Sequence, residues 1–187
     1  ITGSKAFTGI AVNAAPTATN LSTAETYTED SPLNLADIVV SDVDSANVTA
    51  TLTLSNPAAG SLNTATSGAV TSTYNAATGV WTASGAIANV NALLAGLTLT
   101  PAANFNGSFS IATSVSDGVA PALTGSKAFT GIAVNDAPVA TPVTLAAGNE
   151  DTAYTITAAT LLAGVTDIDG PTLSITSTSW PASRSTA

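Results

Sequence analysis

The chain has 187 residues, of which only 8% are charged, and twelve acids against three bases leave a net charge of −9. Lys5, Lys127 and Arg184 are the only cations, so there is no basic stripe for a phosphate backbone and nucleic acid is not an expected partner. Without cysteine or histidine, the chain has no disulfide, thiol or imidazole chemistry, which argues against an enzyme; with no run of about 18 apolar residues, membrane insertion is not expected either.

The opening ITGSKAFTG lacks the charged and apolar regions of an export signal, which is therefore expected elsewhere. Strands are predicted at 33–40, at 48–55 and at 69–74. In NVTATLTLS, Val48, Ala50, Leu52 and Leu54 alternate with Thr49, Thr51, Thr53 and Ser55, which sends the apolar set to one sheet face and the hydroxyls to water. Turn signals follow in SNPAAG at 55–60 and NAATG at 75–79. Tyr74 and Trp81 flank the second turn as a hairpin pair would, which favours packing; the alternative is that Trp81 and Trp180 stack on sugar rings. After a strand at 80–83, Ile87, Val90, Leu94 and Leu97 recur at helical spacing and predict one or two helical turns. Strands resume at 97–100, in GSFSIATSVS with Phe109, Ile111 and Val115 inward, and at 127–134. About seven short antiparallel strands in a domain-sized stretch predict an all-β fold of antiparallel β-sandwiches.

TGSKAFTGIAVNDAP at 124–138 repeats TGSKAFTGIAVNAAP at 2–16, and the match runs to Thr19 and Thr141 with 16 identities in 18 positions. A spacing of 122 residues suits tandem whole domains rather than a solenoid, whose units are about 20 to 50 residues. Residues 1–15 are then expected to be the closing strand of a preceding repeat, 16–138 a complete repeat, and 139–187 the opening part of a further, divergent one. Neighbouring repeats of the same chain are the expected partners. An orphan first strand and an unfinished last sheet would also let other copies associate by strand donation.

The acids are clustered: Glu29 and Asp30, Asp42 and Asp44, Asp117, Asp136, Glu150 and Asp151, Asp167 and Asp169. If SDVDS is extended, Asp42 and Asp44 lie on one side roughly 7 Å apart and Val43 points into the core. DIDG at 167–170 repeats the device. Such carboxylates repel unless a cation lies between them, and an oxygen-only donor set suits Ca²⁺. The alternative is turn chemistry, in which Asp bonds local backbone amides; for Asp117 in SDG both readings stand open. Asp37 and Glu25 fit no cluster and read as plain surface charges.

Together YTEDSPLNL, the DVD at 42–44, NFNGSFSIATSVSDG at 104–118, VNDAP at 134–138 and NEDTAYTITAATLLAGVTDIDGPTLSI at 149–175 resemble the cadherin-like, bacterial immunoglobulin-like tandem repeats of giant secreted RTX-type adhesins. The resemblance implies Ca²⁺ at the junctions between domains. Asn135 and Asp136 would be linker ligands, and Glu29, Asp30, Asp42, Asp44, Glu150, Asp151, Asp167 and Asp169 domain-end ligands. It also implies a spacer role outside the cell or on a bacterial surface, reached by type I secretion. Two departures are notable: Ala14 stands where the second copy has Asp136, and the step from ED to DxD is 13 residues in the first copy and 17 in the second.

Overall fold

Alternation of apolar and hydroxyl side chains builds the frame. The computed structural model describes residues 4–5, 9, 12–170 and 172–176, and the chain falls into two compact units, Ile1–Val134 and Asn135–Ala187. Unit one begins with β1 (Thr17–Ala18), β2 (Glu25–Thr28), β3 (Leu33–Asn34) and β4 (Val40–Ser41). Next come β5 (Asn47–Leu54), β6 (Gly60–Leu62), β7 (Thr66–Ser67), β8 (Val70–Thr71), β9 (Thr73–Asn75) and β10 (Val80–Ala86). Helix α1 (Ile87–Ala95) crosses to β11 (Thr98–Pro101), and β12 (Phe109–Ser116) and β13 (Leu123–Ile132) complete the unit.

The larger sheet has the order β2-β13-β12-β5-β10-β9 and the smaller the order β3-β11-β6, with β1 on β4 and β7 on β8 as short ribbons. All these pairs are antiparallel except β2 with β13, which is parallel with Glu25 opposite Phe129. Val48, Ala50, Leu52 and Leu54 on β5 and Phe109, Ile111 and Val115 on β12 are buried, as their alternation predicts. They form one core with Leu62 and Leu99 of the smaller sheet and with Val90, Leu93 and Leu94 of α1. Phe109 stacks on Phe129 with ring centroids 5.0 Å apart and meets the edge of Tyr27 at 5.7 Å. Such pairs contribute about 0.5 to 1.5 kcal/mol beyond area burial.

Trp81 lies opposite Tyr74, as the hairpin reading requires. It is fully buried and its Nε1 donates to the Asn63 carbonyl at 3.0 Å, so it offers no face to a sugar. Trp180 lies outside the described residues. Two predicted strands are broken. Residues 33–40 divide between β3 and β4 because Leu35, Ile38 and Val40 are all buried, a spacing that a flat strand cannot deliver to one face. The 69–74 stretch breaks at Ser72, which is buried and exchanges bonds with Ala65: Ser72 N to Ala65 O at 2.9 Å, and Ala65 N to Ser72 Oγ at 2.9 Å. The closing strand expected at 1–15 falls partly outside the described residues; Ser4, Lys5, Gly9 and Val12 to Ala15 carry no strand.

Unit two contains β14 (Val139–Ala140), α2 (Ala158–Leu162) and β15 (Val165–Thr166). β14 pairs β15 with Ala140 opposite Val165, as β1 pairs β4 with Ala18 opposite Val40. The longer spacing before its DxD is taken up by α2, capped by Thr157 Oγ1, which accepts from Thr160 N at 3.2 Å. None of the described residues of unit two is buried. Among the described residues no helix is long and apolar enough to cross a membrane.

Candidate metal-binding sites

The SDVDS segment is a tight turn rather than an extended stretch. Asp42 Oδ1 accepts from Asp44 N at 3.1 Å and Ser45 N at 2.9 Å, an Asx turn that competes with the ladder and rotates the middle residue outward. Val43 is therefore 90% exposed instead of reaching the core. The turn aims its second carboxylate at the chain just before β1, where Asp44 Oδ2 accepts from Ala14 N at 2.8 Å. Asn13 donates to Asp117 Oδ2 at 2.7 Å and to its neighbour's carbonyl, Ala14 O, at 2.9 Å. Asp117 makes its own Asx turn, taking Val119 N at 2.9 Å and Ala120 N at 3.0 Å on Oδ1. Asp117 therefore makes the turn that one reading expects, and its second oxygen is taken by Asn13.

Unit two repeats this construction. Asp167 Oδ1 accepts from Asp169 N at 3.0 Å, leaving Ile168 64% exposed. Asp169 Oδ2 accepts from Asp136 N at 2.6 Å, and Asn135 donates to Asp136 O at 2.8 Å. The Ala14 and Asp136 positions therefore make the same backbone bond to the second acid of their DxD, and the substitution changes only whether a carboxylate stands there.

At the other end of β13, Glu29 is buried, its carboxylate accepting from Val134 N and its own N–H donating to Ile132 O at 3.1 Å. Asp30 has the left-handed φ of 57° and accepts from Asn104 N at 2.9 Å. Asp151 has φ 58°, so the two ED pairs share one backbone turn; Glu150 and Asp151 themselves are exposed. The sequence reading missed Asn13, which the repeat itself marks as the copy of Asn135. It also misread Glu25, whose Oε1 lies 2.8 Å from the ammonium of the fully buried Lys127, whereas Asp37 is on the surface as expected.

Electrostatics follow these bonds. The Ser45 and Asp44 amides hold Asp42 below the ordinary 3.8, against the opposing charge of Asp117. The Asn13 amide, then the Val119 N–H, holds Asp117 down likewise. Burial, and then the Glu29 charge, raises Tyr27 above its usual 10.0.

These residues are compatible with a hard cation. Asp42 Oδ2 is a buried atom with no hydrogen-bond donor on it, and Asp44, Asp117 and Asn13, all oxygen donors, are tied by hydrogen bonds to the same stretch of chain, residues 13–14. No three His, Cys, Asp or Glu side chains among the described residues converge closely enough to hold an ion alone. A Ca²⁺ bound here would take Asp42, Asp44, Asp117 and Asn13 together with carbonyls and water, consistent with its preference for about six to eight oxygens.

The model of a family described as a cadherin-like domain matches residues 134–187. No curated protein matches the chain significantly. Solved structures similar to it include the tandem Ig repeats of Dlar, at 12% identity and a TM-score of 0.31 over 68% of this chain and 55% of that one. The N-terminal Ig1-2 module of the Drosophila receptor protein tyrosine phosphatase DLAR is similar at 11% identity and TM-score 0.28, over 68% and 56%. The human Desmocollin-1 ectodomain gives 13% and 0.30, over 68% and 23%. The chain thus spans about half the length of the first two. The fold is all-β with the sandwich arrangement described above, and its second unit is similar to a cadherin-like domain.

Proposed function

We propose that the chain is a calcium-stiffened spacer segment of a large secreted or cell-surface bacterial adhesin of the RTX type, holding a distal binding domain away from the surface. The observation that carries this reading is the duplicated linker construction: Ala14 N on Asp44 and Asp136 N on Asp169, each beside an Asx-turned DxD. Residues 16–138 are one repeat and 139–187 open the next. Bound Ca²⁺ supplies the positive charge that clustered carboxylates lack in a chain with three basic residues. Extracellular calcium modules bind with Kd of about 10⁻⁴ to 10⁻³ M, so the sites fill outside a cell and stand largely empty in the cytosol. A chain that stiffens only after export needs no disulfides and suits type I secretion.

The test is small-angle X-ray scattering with a parallel thermal melt, in millimolar Ca²⁺ and in EGTA. Calcium is expected to lengthen the particle and raise the melting temperature, and Asp42→Ala with Asp44→Ala to weaken both effects. Shape and stability indifferent to calcium would overturn the reading.

A second reading, self-assembly by strand donation, draws on the duplication of the last strand of unit one at residues 2–10. Regular fibres lost on deletion of residues 1–14 would favour it, and a monodisperse monomer would count against it.

A further inference from the structure

The metal reading leaves unused a buried ion pair and the one parallel strand pair among the described residues, and these coincide. β2 and β13 run parallel from Glu25 opposite Phe129 to Thr28 opposite Ile132. The zipper extends through the Glu29 N to Ile132 O bond and the Val134 N–H on the Glu29 carboxylate. At its other end the fully buried Lys127 places its ammonium 2.8 Å from Glu25 Oε1 and donates to Asn20 O at 3.0 Å. Glu25 Oε2 accepts from Ala36 N at 3.1 Å, and Ser22 Oγ from Ser126 N at 3.2 Å. Residues 20–29 are thus fastened to 126–134 by side chains as well as by the ladder.

Parallel pairing of these strands has a mechanical consequence. A pull on the chain before β2 draws that strand toward its own N-terminal end. A pull beyond β13 draws it toward its C-terminal end. Parallel strands then slide in opposite directions, so every bond across them is loaded at once. An antiparallel terminal pair pulled the same way would peel open one bond at a time. β1, only two residues long on β4, lies outside the clamp and yields first, after which load reaches the Asn20 carbonyl and Lys127. Sliding also separates Glu25 from an ammonium with no access to water, and parting a buried pair is strongly unfavourable.

The geometry points to β2 and β13, locked by Glu25 and Lys127, as a calcium-independent shear clamp that carries end-to-end load through unit one. Its purpose rests on the spacer reading, since only a chain under tension uses it; its mechanics need the β2 to β13 ladder and the Glu25 to Lys127 pair, and of the acid clusters they touch only Glu29, at the far end of the ladder.

The test is single-molecule pulling of the full chain in EGTA in two geometries. In one, handles are attached at the two termini. In the other, one handle is at the N-terminus and one at Val119→Cys, a unique thiol in a cysteine-free chain at a 72% exposed position. The Asn13 to Asp117 bond puts that loop beside the incoming chain, so the second geometry peels instead of shearing. Unit one is expected to withstand clearly more force between its termini than in the peeling geometry. Glu25→Gln is expected to raise the unfolding rate under fixed load about tenfold or more in shear, with little change in peeling. Should that variant fail to fold, the neutral pair Glu25→Leu with Lys127→Met carries the same expectation. Equal forces in the two geometries, or an equal loss in both for the variant, would overturn the clamp. Indifference of shape to calcium would sink the spacer reading and leave the clamp standing.

Discussion

Asp42 and Asp117 have carboxylates that the folded chain prefers ionised, Asp42 through the Ser45 and Asp44 amides and Asp117 through Asn13 and Val119. With folded values below the ordinary 3.8, the unfolded chain binds more protons between the two values, so stability climbs with pH through that window and is fully present above it. Both residues are only partly buried, so solvent screens these bonds and the effect is small. In EGTA the melting temperature is expected to hold from about pH 7 to 5 and to fall below about pH 4. Asp117→Asn, which keeps an acceptor for the turn, is expected to flatten that fall; an unchanged profile by melts across pH would refute it. Ala14→Asp tests the other side of the same cluster. The backbone bond to Asp44 is made whichever residue stands there, so the variant adds only a carboxylate. Calcium affinity at that end, read by titration calorimetry, is expected to rise by roughly three- to tenfold through ligand charge; no change would mean that the Asp136 carboxylate is not a ligand in its own linker.

Among the elements, β13 shows how closely the repeated segment is fitted to its place. A Cβ at Gly125 would meet Leu21 O at 2.7 Å, and one at Gly131 would run into the Asn106 carbonyl. Both contacts are with backbone, which cannot swing aside. Gly131→Ala is therefore expected to cost about 1 to 3 kcal/mol and to lower the melting temperature by roughly 4 to 12 °C in a unit of this size; a neutral outcome by calorimetry would show that the Asn106 loop gives way. The elements legible in the sequence were those whose period is intrinsic: β5, β12, the β9 to β10 hairpin around NAATG, and α1. What could not be read was decided across the chain. The parallel docking of β2 places Glu25 against Lys127 some hundred residues away, and nothing local distinguishes that acid from a surface one. SDVDS looked extended because its alternation is that of a strand, yet an Asp followed by free amides satisfies them first. The acid clusters were visible as clusters, whereas their attachment to Asn13 and Ala14 was visible only through the repeat.

For the molecule as a whole, the two units are unequal in what they bury. Unit one has a continuous core from Tyr27 to Phe129, whereas the described residues of unit two are all at least partly exposed. The roughly forty described residues of unit two, none of them buried, do not offset their own conformational entropy. Unfolding enthalpy reports how much chain takes part in a cooperative transition, at about 0.7 kcal/mol per residue near 60 °C. Melting confined to unit one should therefore absorb about 80 to 95 kcal/mol, against about 130 kcal/mol if all 187 residues unfold together. The smaller value is expected in EGTA, with a calorimetric enthalpy equal to the van't Hoff value for a single two-state unit. Millimolar calcium should raise that transition by only a few degrees, because a site with Kd of about 10⁻⁴ to 10⁻³ M adds about 0.5 to 1.5 kcal/mol by mass action. An enthalpy near the larger value would mean that unit two folds together with unit one, and the assignment of the core to unit one alone would fall.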